Sequence, residues 1–599
     1  MQREDAALGG GERGGALGRW LLRLLLAALL FGAVTFDRSP WPALVGDEAT
    51  YAMQAASLAW DFDLRYQAED YQRFLRHWGR KPDGLILQSR DGGDTITFGK
   101  PLPYALAVAP FVRLAPVRGA GIANALFLAL AAIASARVLR RYIGPAADAW
   151  VAAFCFASVT FAYTFWVHAD LFLLAASALG LALAHGGGRM GSSLPEIWQD
   201  GGGARRYLLA GMLLVLPGTF RPFYLALLVP AALAVPRQGR LPRIAALAAG
   251  ALLVFAAVGG GQWLTGGSWT GYGGERQGFY ERTGFPDIDF PAEDWSRSVE
   301  RWGNTSWLHE GALERPVDRR LWTWNGLYFL LGQNVGVLPY FLPLLLGLFA
   351  MRGDLRGAAL LLAVLAAVLV LFYLRPFNFF GGGGALANRY FLPVYPAFWY
   401  LAAGAARRRL SPGRGLTAAV AVVLLAAPYL YPLWTAPRSF PIADDGRYAY
   451  PSVIARRLLP YETTQSHIPG GRDVSHRGLW VKFLNGDASP ADGGASLRLT
   501  GGRSGDLLIG SSQRLEGLTL SFGRQAPSKI EVAGGSPGAV LLRGTGGVAF
   551  DVGLDKPRAV HPMWWTWEDV YLYRLRIRLP GAAPVPLSFT VTPSTKETP

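Results

Sequence analysis

The sequence predicts a polytopic α-helical membrane protein that carries a β-sandwich domain at its C-terminal end. Hydrophobic residues make up 51% of the 599 residues and charged residues only 17%, against roughly 25% charged in a typical soluble domain. Apolar runs long enough to cross a bilayer recur until about residue 434. Beyond that point apolar residues come in short alternating pieces between glycine-rich turns, a pattern typical of an antiparallel β-sandwich.

The apolar runs predict about eleven transmembrane helices, since a span needs about 20 mostly apolar residues. They cover residues 20–36, 119–136, 148–165, 171–186, 206–220, 222–236, 243–263, 335–351, 357–374, 391–406 and 416–434. Two further apolar runs, at 101–116 and 321–331, are short and rich in proline or aromatic residues. We expect both to lie at the membrane interface.

Arginine clusters predict the orientation of these spans. They follow alternate spans, at residues 137–141, 189–206, 237–243, 352–356 and 407–414. Because basic residues favour cytoplasmic loops, all clusters share one side if the N-terminus is cytoplasmic. An odd number of spans then places the C-terminal region outside. We therefore expect a transmembrane domain over 1–435, a connector over 436–475 and an extracytoplasmic β-sandwich over 476–599.

The net charge of +16 is spread over these loops and does not form one basic stripe. This distribution indicates contact with membrane lipid and argues against nucleic acid as a partner. The single cysteine, Cys155, excludes disulfides within the chain, so an external domain must fold on its hydrophobic core alone.

Asp47 and Glu48 are the first candidate catalytic residues, because they follow the first apolar run on the predicted external side. Adjacent residues on a helix point about 100° apart, so the two carboxylates cannot share one role. Asp47 is the preferred general base, and partial desolvation is expected to raise its proton affinity. The alternative for whichever residue is not the base is to cap a helix beginning near Ala49.

A second group of polar residues is predicted on the same face. His168 and Asp170 follow the third span. His168 is a candidate substrate-binding residue, and Asp170 is either a second catalytic carboxylate, a metal ligand or a helix cap. Lys100, Arg221 and Arg389 are basic residues that do not follow the cytoplasmic pattern. Each is a candidate ligand of a lipid phosphate, the alternative being a headgroup anchor or an ion pair.

Three short motifs resemble those of the GT-C membrane glycosyltransferases, a superfamily that includes bacterial aminoarabinose transferases and protein O-mannosyltransferases. The segment 46–51 (GDEATY) is similar to the first external loop of that superfamily, and 99–104 (GKPLPY) to its Lys-Pro-Pro-Leu segment. The segment 389–396 (RYFLPVYP) is similar to its late Arg-Tyr-x-Leu-Pro-x-Tyr-Pro element, which adds Tyr390 to the substrate-binding candidates. The sequence departs from the family pattern at Leu102, where a second proline is common. The resemblance covers about residues 20–435.

This resemblance implies a GT-C-like fold in a bacterial inner membrane, with the active site outside the cytoplasm. It further implies transfer of a sugar from a polyprenyl-phosphate donor to a glycan, lipid or protein acceptor, with the acid of the first loop as base. Such chemistry needs positive charge, or a divalent cation, against the departing phosphate. A glycolipid transporter or flippase, or a non-catalytic glycan-binding scaffold, is the alternative function. The sequence does not specify the metal, the sugar or the acceptor.

Overall fold

A computed structural model of the protein describes much of the chain. The described residues are 2–36, 44, 46–91, 93–186, 203–267, 269, 275–279, 283–285, 319–351, 355–374, 386–405, 412–436, 452–460, 462 and, in short stretches, 479–594. The chain divides into two compact units, and each is described by itself. The first comprises Met1–Pro316, Gly336–Gly381 and Ala385–Ala443, and the second Val317–Val335, Gly382–Gly384 and Asp444–Pro599.

The first unit is mainly helical, as the apolar runs predict. Its helices are α1 (Gln2–Val34), α2 (Asp47–Trp60), α3 (Ala68–Trp78), α4 (Leu102–Leu114), α5 (Gly119–Ile143), α6 (Ala147–Phe156), α7 (Asp170–His185), α8 (Gly203–Phe220), α9 (Leu228–Leu233) and α10 (Arg240–Gly266), followed by Val337–Tyr340, Leu344–Ala350, Leu355–Leu374, Pro396–Tyr400 and Pro412–Thr435. Short 3₁₀ helices lie between them at Gly144–Ala146, Val159–Phe165, Pro222–Leu227, Arg389–Phe391 and Leu401–Ala405.

Several predicted spans are shorter or more broken than the apolar runs suggested. The run at 335–351 is split beside Pro343, which precedes the helix Leu344–Ala350, because proline donates no backbone hydrogen bond. The run at 148–165 stops as an α-helix at Phe156 and resumes as a 3₁₀ helix. There the Ser158 side chain accepts a hydrogen bond from the Thr160 amide and caps the new turn.

Four helices are long and apolar enough to cross a membrane, among the residues that the structure describes: Gly15–Val34, Gly119–Phe156, Arg240–Thr265 and Gly415–Thr435. Shorter apolar helices occur at Leu102–Leu114, Asp170–His185, Pro222–Leu233 and Leu355–Val370. These features are typical of a membrane protein. The count of about eleven spans and the sidedness stay predictions.

A small antiparallel sheet that the sequence analysis missed lies beside the candidate residues. Its strands are β1 (Leu85–Ser89), β2 (Ile96–Phe98) and β3 (Glu275–Phe279), in the order β2-β1-β3. Strands of three to five residues give too few alternating positions to be recognised in a sequence. Because β2 ends at Phe98, this sheet fixes the point at which the chain reaches Lys100 and α4.

The second unit contains the helices Arg319–Leu331 and Val453–Leu458 and two antiparallel sheets. The six-stranded sheet has the order β10-β9-β13-β7-β4 with β12 beside β13, and the five-stranded sheet has the order β11-β8-β14-β6-β5. The strands are β4 (Leu479–Asn485), β5 (Ala488–Pro490), β6 (Ser496–Leu499), β7 (Ser504–Ser511), β8 (Gly517–Phe522), β9 (Ile530–Gly534), β10 (Val540–Leu542), β11 (Ala549–Gly553), β12 (Ala559–Pro562), β13 (Asp569–Arg578) and β14 (Leu587–Ser594).

These strands lie in the region where apolar and polar residues alternate in the sequence. The packing of the two sheets into a β-sandwich stays a prediction, and so do the domain boundaries. Most of the predicted connector, 436–475, lies outside the described residues. Glu462 is an exception. Its buried carboxylate accepts hydrogen bonds from the backbone amides of Asn334 and Val335, at 2.7 and 2.9 Å, and so joins two distant parts of the second unit.

Candidate active site

The N-terminus of α2 positions the first candidate carboxylate. Gly46 precedes Asp47 with φ 61° and ψ −120°, a conformation that only glycine adopts readily. Its amide donates to the Asp83 carbonyl at 2.8 Å. Thr50 links the same turn to β1, because its hydroxyl donates to the Gly46 carbonyl and accepts from the Ile86 amide, each at 2.9 Å. Asp47 is therefore the first residue of a helix that is hydrogen-bonded to the small sheet through Thr50.

Three basic side chains from distant parts of the chain surround Asp47. Lys100 Nζ contacts Oδ1, while His168 Nε2 and Arg389 Nη2 lie 3.1 and 3.2 Å from Oδ2. The Asp47 side chain is 23% exposed, whereas the side chains of Lys100, His168 and Arg389 are only 3 to 6% exposed. A molecule that enters from solvent therefore reaches Asp47 before the basic residues.

The charge around Asp47 overturns one expectation from the sequence. Burial by itself raises the pKa of this carboxyl, but Lys100, the hydrogen bond from His168 and Arg389 outweigh it and hold the pKa well below its usual range. The expectation that desolvation raises the proton affinity of Asp47 is therefore wrong for this arrangement. Asp47 is an ionised carboxylate that binds a proton weakly.

Lys100 lies between the end of β2 and the start of α4. Its backbone carbonyl accepts a hydrogen bond from Gln54 at 3.1 Å, and its ammonium lies 5.8 Å from the centre of the Tyr51 ring. Burial lowers the pKa of Lys100 to about 7, although Asp47 opposes this shift. Lys100 is thus a basic group that can change its charge near neutral pH.

Arg389 and Tyr390 are presented by the short 3₁₀ helix Arg389–Phe391. Asn388 caps this helix by accepting a hydrogen bond from the Tyr390 amide at 2.9 Å. Ala387 has φ 70°, an unusual value for a residue with a side chain, so the backbone is strained beside Arg389. Arg221 lies directly over the Tyr390 ring at 3.6 Å from its centre. Burial raises the pKa of the Tyr390 hydroxyl, but the charges of Arg221 and Arg389 outweigh it and lower the pKa.

His168 and Asp170 lie immediately behind Asp47. The His168 ring is stacked on Trp166 at 4.7 Å and meets the edge of Tyr51 at 5.3 Å. Its Nδ1 lies 2.8 Å from Oδ2 of Asp170. Asp170 is the first residue of α7, yet the position that caps this helix is Ala169, which has no side-chain bond. Neither oxygen of Asp170 has a hydrogen-bond partner among the described residues. The Asp170 side chain therefore does not cap α7 in this structure.

Glu48 has a different set of neighbours from Asp47, as their angular separation on the helix requires. Its side chain is almost fully buried, and Oε1 accepts a hydrogen bond from the Val167 amide at 3.1 Å. Glu48 thereby holds the segment that leads into His168. The N-cap of α2 is Gly46, without a side-chain hydrogen bond.

The eight sequence-predicted residues thus lie in one region of the first unit, although their roles stay predictions. Sequence reasoning missed Trp166 and Tyr51, which enclose the His168 ring. Tyr51 has a recognisable signal, because it follows Asp47 by four residues and shares its helix face. Trp166 has none beyond its closeness in sequence to His168.

The described side chains around Asp47 do not form a set of ligands for a divalent cation. Among the residues that the structure describes, no group of three His, Cys, Asp or Glu side chains is arranged to hold a metal ion. The oxygens of Asp47 already face Lys100 and Arg389, whose charges would repel a cation.

No protein-family model and no curated protein matches the chain. Among solved structures, the chain is similar to ArnT from Cupriavidus metallidurans bound to undecaprenyl phosphate, with 18% identity and a TM-score of 0.38 over 69% of this chain and 65% of that one. It is also similar to the same protein in the apo state, with 20% identity and a TM-score of 0.40 over 70% and 66%. The chain thus spans just under two thirds of the length of those structures.

Proposed function

We propose that this protein is an integral-membrane glycosyltransferase of the GT-C type, which transfers a sugar from a polyprenyl-phosphate donor to a hydroxyl of an extracytoplasmic acceptor. The observation that carries the proposal is the partly exposed carboxylate of Asp47 beside the buried cations Lys100 and Arg389. Glycosyl transfer needs these two kinds of group within reach of one another.

Each group has a defined task in this reaction. Asp47 takes the proton of the acceptor hydroxyl as the bond to the anomeric carbon forms. Lys100 and Arg389 stabilise the negative charge that develops on the departing polyprenyl phosphate. Arg221 and Tyr390 extend this positive surface, because Arg221 is stacked on Tyr390 beside Arg389. Glu48 positions the segment that carries His168.

The apolar helices support a lipid-linked donor over a soluble nucleotide sugar. A polyprenyl chain dissolves in the bilayer and brings its phosphate to the interface, where the N-terminal end of α2 is predicted to lie. We infer that the site faces the outside of a bacterial inner membrane. We also infer that the chain crosses the membrane about eleven times before its C-terminal region. The two C-terminal sheets then form a β-sandwich on the external side. The acceptor is a glycan, a lipid or a protein.

Replacement of Asp47 by Asn tests the proposal. We expect the rate of sugar transfer to fall by about 10²–10⁴-fold, as is typical for loss of a general base. Because Lys100 and Arg389 lose a competing carboxylate, affinity for the anionic donor should be retained or increased. Transfer is measured with a radiolabelled polyprenyl-phosphate sugar in proteoliposomes, and donor affinity by titration of the same preparation.

The exposed Asp94, between β1 and β2, provides a matched control, since Asp94→Asn is the same substitution away from the site. Normal transfer by Asp47→Asn would reassign the base to Glu48 or Asp170. If the wild-type protein moves the intact glycolipid across the bilayer without cleaving it, it is a flippase and the proposal fails. Binding without transfer or movement would identify a scaffold.

A further inference from the structure

The low proton affinity of Asp47 raises the question of where the acceptor's proton goes. Lys100 and Arg389 favour the ionised form of Asp47, so this carboxylate can accept a proton only briefly. A base of this kind needs a second group to which it can pass the proton. The side chains behind Asp47 provide one.

We propose that His168 and Asp170 form a proton relay behind Asp47. Asp47 Oδ2 lies 3.1 Å from Nε2 of His168, and Asp170 Oδ2 lies 2.8 Å from Nδ1 of the same ring. The imidazole therefore connects a partly exposed carboxylate to one that is only 1% exposed. This inference rests on the proposed transferase function and adds two positioning residues to it.

The neighbours of His168 define which ring nitrogen can accept the proton. Arg389 Nη1 lies 2.7 Å from Nε2. Nε2 bonds to one of these neighbours at a time: as an N–H it donates to Asp47, and through its lone pair it accepts from Arg389, because a guanidinium only donates. In the second arrangement the ring proton is on Nδ1, facing Asp170. In this tautomer Nε2 is the atom that can receive a proton from Asp47. When Arg389 turns to the donor phosphate, that lone pair becomes available.

Asp170 has the features of a terminal proton acceptor. Both of its oxygens are buried without a hydrogen-bond partner among the described residues, so each has a lone pair that can receive the proton from His168. The contact between Asp170 and His168 meets the distance of a hydrogen bond but not its angular requirement. Catalytic hydrogen bonds often align only when the substrate is bound. Trp166 is stacked on the imidazole and Tyr51 packs against it edge to face, so both rings help to hold it in position.

The proton and the electrons balance along this path. The acceptor oxygen bonds to the anomeric carbon, and the bond from that carbon to the phosphate oxygen breaks, leaving its electron pair on the polyprenyl phosphate. The acceptor's proton moves to Asp47 and then to Nε2 of His168, while the Nδ1 proton moves to Asp170. After the product leaves, the proton returns by the same path to Asp47, which is the exposed member, and passes to water.

The test compares Asp170→Asn, His168→Gln and the double variant with wild-type protein in proteoliposomes. At saturating donor and acceptor we expect each single variant to lower kcat by about 10²-fold or more, with donor affinity unchanged for Asp170→Asn. The double variant should be no slower than the slower single one, because residues that act as one unit are not additive. The residual rate of the variants should rise with pH, because hydroxide then accepts the proton of the acceptor hydroxyl in place of the relay.

Other ionisable groups near the relay are Glu48, Lys100, Arg389, Tyr104 and Tyr163, and none of them is changed in this comparison. His185→Gln is the matched control, because His185 is a buried histidine at the opposite end of α7. Its kcat and pH profile should equal those of wild type.

Normal kcat in either Asp170→Asn or His168→Gln would overturn the relay while leaving the transferase proposal intact. Multiplicative losses in the double variant would also overturn it, since they indicate independent roles. If Asp170→Asn does not fold, His168→Gln alone decides, through its kcat and pH profile. Absence of transfer by wild-type protein would instead reject the proposed function.

Discussion

At the scale of single residues, the site combines groups that are each costly to bury alone. Lys100 and Arg389 are almost fully buried, and a buried charge is tolerated only with a partner. Asp47 provides that partner in the absence of substrate. The proposed anionic donor would share these cations with Asp47, since lysine and arginine each have several N–H donors.

The sequence predicted the members of this site but not their contacts. Asp47, Lys100, His168 and Arg389 were selected because each lies on the same predicted side of the membrane. Lys100 and His168 both contact Asp47, but they lie 53 and 121 positions away from it in the sequence. Because such long-range contacts depend on the packing of whole helices, the depressed pKa of Asp47 could not be inferred from its neighbours in sequence.

Lys100 leads to a prediction about pH. Burial lowers its pKa to about 7, so the free protein has a charged ammonium below that pH and a neutral amine above it. The proposed donor is a phosphodiester, which stays anionic over this range. We expect donor affinity to be highest below pH 7 and to fall as the pH rises above it, measured by titration with a polyprenyl-phosphate sugar.

Lys100→Gln should bind the donor about 10–100-fold more weakly at low pH, as loss of one charged hydrogen bond implies, and should show no fall above pH 7. Lys100→Arg should retain affinity at high pH, because arginine keeps its charge. The exposed Lys81 is the control, and Lys81→Gln should leave the profile unchanged. A pH-independent affinity in wild-type protein would contradict titration of Lys100 near pH 7, and normal affinity in Lys100→Gln would contradict its phosphate-binding role.

At the scale of elements, short irregular pieces determine where the site residues lie. The sequence indicates the long apolar helices well, because their composition alone is decisive. It does not indicate the sheet β1–β3 or the breaks beside Pro343 and Ser158, which depend on individual hydrogen bonds. The residues that hold Asp47 and Arg389 in place belong to such pieces.

Gly46 tests this dependence. Its φ of 61° and ψ of −120° are strained for any residue with a side chain, while a Cβ there would have nothing closer than the Gly84 carbonyl at 4.0 Å. Gly46→Ala should therefore cost about 1–3 kcal/mol through the backbone alone. We expect a lower melting temperature in detergent and a reduced transfer rate, because the first turn of α2 carries Asp47.

Gly260→Ala is the control for this variant. Gly260 lies inside α10, where an added Cβ meets nothing within 4 Å, so alanine should stabilise the helix by up to ~1 kcal/mol. If the two variants melt at the same temperature, the start of α2 relaxes without strain. Asp47 would then not depend on Gly46 for its position.

At the scale of the whole molecule, composition and charge predicted a membrane protein with a change of character near residue 435. The long apolar helices and the C-terminal strands both occur where those patterns lie. Orientation is a separate matter, since the positions of helices do not reveal which end faces the cytoplasm. The arginine clusters alone carry that prediction, and the proposed access of an external acceptor depends on it.

The last long apolar helix decides the orientation of the C-terminal region. Gly415–Thr435 is long and apolar enough to cross a membrane, and it follows an arginine cluster at 407–414. We expect a fusion after Arg414 to place a reporter in the cytoplasm and a fusion after Trp434 to place it outside. Fusions after Arg141 and Arg118 give the internal control, because they flank α5 and should match the Arg414 and Trp434 fusions respectively.

With paired fluorescent-protein and alkaline-phosphatase reporters, the same compartment for Arg414 and Trp434 would show that this helix does not span. Reversed compartments throughout would put Asp47 in the cytoplasm, where an external acceptor cannot reach it, and would contradict both the orientation and the proposed acceptor.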